Sequence, residues 1–129
     1  MADIIGALDT YLRTQTTWLG TLTGGLHPYK NASDTIVYPY CSFFVVSDPN
    51  DPESFDANDT GQARIQFDVI GGAKTVKSIL LALRTILHQY QGTMGTVSVC
   101  HCECVGLRDI ILTNNLYQYQ ADFMIEYSH

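Results

Sequence analysis

The hydrophobic positions between residues 64 and 104 change period twice, and each change marks an element. Residues 64–70 alternate at period two, Ile65, Phe67 and Val69 against Arg64, Gln66 and Asp68, which predicts a half-buried strand. Val76, Ile79, Leu80, Leu83, Ile86, Leu87 and Tyr90 then recur at i, i+3, i+4, i+7, i+10, i+11 and i+14, one stripe of a helix over 73–90. Lys74, Lys77, Ser78, Arg84, Thr85, His88 and Gln89 take its other side. Gly71 and Gly72 free its start, Gly92 suits its exit, and His88 favours the negative end of the helix dipole. Burying such a stripe contributes roughly 1.5–3 kcal/mol per side chain before ordering entropy is subtracted. The helix therefore lies on a sheet. Residues 96–104 follow as a strand of less regular alternation.

The flanking segments extend the pattern. Residues 3–19 predict an amphipathic helix carrying Ile5, Leu8, Leu12 and Leu19, with Thr14, Thr16 and Thr17 weakening its far end. Thr23, Gly24 and Gly25 break it, and the chain to residue 34 reads as loop. Residues 36–46 predict a strand, in which Pro39 suits an edge position or a start at Tyr40. Its 41–46 part is apolar on nearly both faces, so at least part of the strand must be covered on both sides, by its own helices or by a neighbouring subunit. Residues 47–61 hold two prolines and the carboxylates Asp48, Asp51, Glu53, Asp56 and Asp59, a long exposed loop with nothing to form a core. A short strand over 107–112 and an Asn114–Asn115 turn lead to a long strand over 116–127. There Tyr117, Tyr119, Ala121, Phe123, Ile125 and Tyr127 face one way, and Gln118, Gln120, Asp122 and Glu126 the other. The sum is an α+β fold in a single domain: a largely antiparallel or mixed sheet of about five strands, with two helices packed on one face.

Composition narrows the function classes. The 129 residues carry a formal net charge of −6, a poor match to a phosphate backbone, so nucleic acid is expected to pass near the protein without specific binding. Eight tyrosines lean toward sheet structure and protein contact surfaces. No run reaches the roughly 18 apolar residues of a membrane span, and the start lacks the basic and apolar regions of a signal peptide. Synthesis in the cytosol is the expectation, with the four cysteines reduced.

The candidate chemistry is thin. Gly71 to Thr75 occupies the place of a phosphate-binding loop, but Ala73 and Asp68 stand where that motif requires glycines. Asp56, Asn58 and Gly61 fit part of a calcium loop, whose twelfth position falls on Phe67. Cys100, Cys102 and Cys104 alternate with His101 and Glu103, so the thiols are expected on one strand face and His101 and Glu103 on the other. Neighbouring positions on one face lie about 6.6 Å apart, too rigid for easy tetrahedral ligation, even if Cys41 joins from elsewhere. Adjacent strand residues face apart, so without a bulge His101 is no base for Cys100 or Cys102, and His27 or His88 would serve only by a coincidence of folding. Core packing accounts for the thiols, and no cofactor, metal or catalytic residue is expected.

The order of elements is what carries a resemblance. An opening helix leads through Tyr38-Pro39-Tyr40 into the apolar 41–46 strand, then a long loop, the 62–70 strand, the helix with Leu80, Leu83, Arg84 and Leu87, and the closing alternation of 119–125. This resembles the tail terminator, or tail completion, family of long-tailed bacteriophages. The resemblance implies a structural virion protein, not an enzyme, assembled in the host cytoplasm. It would cap the tail tube as a ring of itself, a hexamer, end elongation and offer the surface for head attachment. Its partners would be the tube protein and a neck or head-completion protein, with DNA passing through the lumen. The subunit interface is then placed at Tyr38, Tyr40, Phe44, Arg64, Gln66 and Asp68. Asp48, Asp51, Glu53, Asp56 and Asp59 would line the lumen or dock a neighbour. Two alternatives remain at this stage: another connector of the same neck, and a small metal-binding or thiol protein centred on Cys100 to Cys104.

Overall fold

The computed structural model describes residues 4–29, 36–47, 60–113 and 115–128. Helix α1 (Ile4–Leu12) and a short α2 (Thr16–Leu19) precede strands β1 (Leu26–Pro28), β2 (Tyr40–Ser47) and β3 (Thr60–Gly71). Helix α3 (Ala73–Leu87) leads to β4 (Gly92–Met94), β5 (Val97–Thr113) and β6 (Leu116–Ser128). The strands form one six-stranded mixed sheet in the order β1-β2-β3-β6-β5-β4, curled into a half-barrel. Only the β1–β2 pair is parallel; all other neighbours are antiparallel.

The period-two patterns place the core. The register sets Cys41, Phe43 and Val45 beside Val69, Phe67 and Ile65, and these beside Tyr119, Ala121 and Phe123. That face joins the apolar stripe of α3 and the buried side of α1 in one core. Phe67 stacks on Phe43 with ring centroids 5.2 Å apart and meets Phe123 edge-on at 5.5 Å, both favourable for aromatic rings. All three helices share this face. Trp18 of α2 is buried and donates its indole N–H to the Ile79 carbonyl of α3 at 3.0 Å, which ties the short helix to the long one.

Several expectations are corrected. Among the described residues there are six strands, since β1 and β4, three residues each, give too short a pattern to read. The opening helix is broken: Thr14 caps back onto the Tyr11 carbonyl through its hydroxyl, as threonine does where it competes with helical bonding. Helix α3 stops at Leu87, and Gln89 turns the chain with φ +64 before Gly92 is reached. The 96–104 and 107–112 strands are one 17-residue strand, β5, whose bulges at Val99/His101, Cys104/Gly106 and Ile111/Thr113 disguise its continuity. Because β6 lies between them, β5 does not pair with β3.

Candidate functional site

The face of the sheet turned away from the helices is polar, and it gathers most of the side chains singled out above. Tyr40, Ser42 and Phe44 on β2 stand beside Ile70, Asp68 and Gln66 on β3, and these beside Gln118, Gln120 and Asp122 on β6. Of the six expected interface residues, Tyr40, Phe44, Arg64, Gln66 and Asp68 share this face. Tyr38 lies just before β2, exposed, with its ring 5.8 Å from that of Tyr40. Burial, and then Tyr38 and Asp68, push the Tyr40 phenol above its ordinary value.

Two carboxylates are nearly sealed within this bare face. Asp68 and Asp122 are each only 8% exposed. Gln66 donates its amide to both oxygens of Asp68, at 3.1 and 3.3 Å. Arg64 donates to Oδ2 of Asp122 through Nη2 at 2.7 Å and Nε at 3.3 Å. The second oxygen, Oδ1, is buried without a hydrogen-bond partner. Beside it Arg64, Gly106, Leu107, Arg108, Gln120 and Asp122 line a hollow of about 110 Å³. Arg64 and Asp68 are thus already engaged inside their own chain. The burial of Asp122 escaped the sequence reading because it depends on which strand lies opposite, and a period-two pattern does not specify register.

The thiols are dispersed. The bulge at Val99/His101 makes Cys100 an extra, exposed residue, so only Cys102 and Cys104 face the helices, against the expected alignment of all three. Burial, with Cys104 next, pushes the Cys102 thiol up to about 12, and burial raises Cys41 strongly as well. Such groups stay protonated and are poor nucleophiles and metal ligands. Cys41 lies three strands away from β5, about 14 Å at the usual strand spacing. The described histidines are occupied: His27 Nε2 meets the Gly24 carbonyl at 2.7 Å, His88 Nδ1 accepts the Cys104 N–H at 3.1 Å, and His101 meets Glu103 at 3.4 Å. No group of three His, Cys, Asp or Glu among the described residues could hold a metal ion.

A hollow of about 640 Å³ lies between α2 and α3 and is lined by Thr14, Thr17, Thr21, Ser78 and Thr85 around Trp18 and Ile79. None of its lining residues titrates near neutral pH, so it offers no acid–base pair. Asp48, Asp51, Glu53, Asp56 and Asp59 lie outside the described residues. Phe67, the would-be twelfth position of a calcium loop, is buried in β3.

The sheet edges hold a feature that the patterning missed. Of the large apolar side chains left exposed among the described residues, Tyr29, Ile36, Val37, Tyr38 and Val46 lie on the β1–β2 side of the molecule. Val105, Leu107, Ile111 and Leu112 lie on β5 at the other side, and Leu81 alone is on a helix. An irregular apolar run at 105–112 was the available signal, but it reads equally well as a buried strand.

No family model matches the chain, and no curated protein does. Among solved structures, a chain from the virion of a native gene transfer agent particle matches with TM-score 0.74 and 12% identity, over 97% of this chain and 94% of that one. A second solved structure matches with TM-score 0.59 and 10% identity, over 99% of this chain and 95% of its own. At such identities the likeness is one of fold, and it runs end to end in both.

Proposed function

We propose that this chain is a structural subunit of a phage-like virion, and that it caps the tail tube as a ring, ends elongation and presents the surface for head attachment. The observation that carries this reading is the end-to-end likeness of fold to a chain of the gene transfer agent virion. The order of elements that resembles tail terminators supports the finer assignment. We read the role as structural rather than enzymatic: among the described residues the histidines are occupied, Cys41 and Cys102 are held protonated by burial, and the hollow between α2 and α3 has no titrating groups.

In this reading the partners are further copies of the chain, six to a ring, the tube protein below and a neck protein above. DNA passes without specific binding. The bare polar face suits such a passage: Asp68, Glu103, Asp122 and Glu126 outnumber Arg64 and Arg108 on it, which disfavours adhesion of a polyanion. The acidic 48–59 segment serves either the same lumen or docking to a neighbour.

Deleting the gene from the particle that encodes it, and measuring tails by electron microscopy, tests the assignment. Tails of abnormal, variable length are the expected result. Tails of normal length that fail to join heads would make the chain a connector of the neck instead. Intact, infectious particles would overturn both.

A further inference from the structure

We propose that copies join head to tail along the sheet, the 105–113 stretch of β5 in one copy pairing with the 44–47 edge of β2 in the next. This deepens the ring reading and rests on it. The outer edge of β5 is closed over its first half. Strand β4 pairs with Val97 to Val99, the Gln89 N–H donates to the Cys102 carbonyl at 2.6 Å, and the Cys104 N–H donates to His88. Past Cys104 that edge has no pairing partner among the described residues, and there Val105, Leu107, Ile111 and Leu112 stand exposed, Ile111 at 73%.

The opposite edge repeats the situation. Strand β1 covers Cys41 to Phe43, and the Tyr29 N–H donates to the Phe43 carbonyl at 2.6 Å. Beyond Phe43 the outer side of β2 has no described partner, and Tyr29 and Val46 lie beside it, 62% and 48% exposed. An open backbone row flanked by apolar side chains is a template for strand addition, which soluble proteins ordinarily blunt or cover. Here each edge is blunted over one part and left open where the apolar residues are.

The occupant that fits both edges is a second copy. Strands β2 and β3, β3 and β6, and β6 and β5 are each antiparallel, so β2 and β5 run in opposite senses. A sheet continued into the next copy by rotation about a common axis keeps that sense, and β5 then meets the neighbour's β2 antiparallel. The two patches are different surfaces, so the contact is heterologous and closes into a ring, whereas β5 paired with itself would make a dimer and leave the β2 edge open. The bulges at Cys104/Gly106 and Ile111/Thr113 bound the regular run between them and keep the pairing short.

The test uses the purified full chain, Leu107→Asp, Val46→Asp, and an equimolar mixture of the two, each sized by light scattering and checked for folding by circular dichroism. The wild type is expected as a uniform ring and each variant as a monomer. The mixture is expected at twice the monomer mass and no larger, because each variant retains the edge that the other has lost. Ile111→Asp with Tyr29→Asp repeats the design should either first variant misfold. A monomeric wild type, a variant that keeps the ring mass, or a mixture that stays monomeric overturns the proposal. Normal tails in the deletion, with the mixing result intact, would instead overturn the capping role and leave the edge pairing standing.

Discussion

Arg64 donates to Asp122 through two nitrogens, and its side chain is 41% exposed while that of Asp122 is 11% exposed. The two ends of the pair are therefore unequal. Asp122→Asn leaves a guanidinium that water still reaches, and about 1 kcal/mol or less is the expected loss. Arg64→Met leaves a nearly buried carboxylate without either donor, and about 1–3 kcal/mol is expected. Urea unfolding of both variants should give that order; equal losses would mean that Arg64 does not compensate the buried charge. The thiols supply a pH dependence. A folded-state pKa raised above the unfolded value near 9 means that the unfolded chain releases its protons first. Stability is then full below about pH 9 and falls as pH rises toward the folded value near 12 for Cys102. Unfolding midpoints at pH 7 and pH 10 check this, and iodoacetamide at pH 8 should label exposed Cys100 well before Cys41 or Cys102.

At the scale of elements, α3 is the piece that organises the others. Its buried stripe Val76, Ile79, Leu80, Leu83 and Leu87 follows the predicted spacing, and its exposed side carries Lys74, Lys77 and Arg84 without a single carboxylate. The link from Trp18 to the Ile79 carbonyl makes α2 dependent on α3. Trp18→Phe removes that bond while keeping most of the ring, with an expected loss of about 1 kcal/mol; Trp18→Ala should cost about 3–5 kcal/mol. Gly24 shows a different constraint. A Cβ there would overlap the Val37 carbonyl oxygen, so Gly24→Ala must push apart the segment that leads into β2. A loss of about 1–3 kcal/mol in chemical denaturation is the expected outcome. Strand β5 was read as two strands because its bulges shift the alternation at Val105 and Gly106, and the long hydrogen-bonded register against β6 is what restores it as one.

For the whole molecule, the exposed apolar residues at opposite ends of the sheet matter more than any cleft. They make the described chain half of a contact on two sides. Charge reversal at Asp51, Glu53 and Asp56 belongs to this scale as well. With no core role expected for these side chains, the unfolding midpoint should move by no more than about 0.5 kcal/mol in free energy, while head joining or DNA ejection fails. Normal infectivity of that variant would remove the acidic segment from the assembly function.

Local periodicity by itself determined α3, β3, β6 and the core face of the sheet, because burial of a stripe or of alternate residues leaves its period in the sequence. The side-chain types along that period also separated the polar face of β3 and β6 from the core face. Strand order, the β1 and β4 caps, the continuity of β5 and the pairing of Arg64 with Asp122 were decided only by the tertiary structure. These depend on which strands lie side by side and in which register. That choice is made by long-range hydrogen bonding and packing, which leave no spacing in the chain to be read. The open edges belong to the same class: an apolar residue looks alike in sequence whether its own fold or another copy covers it.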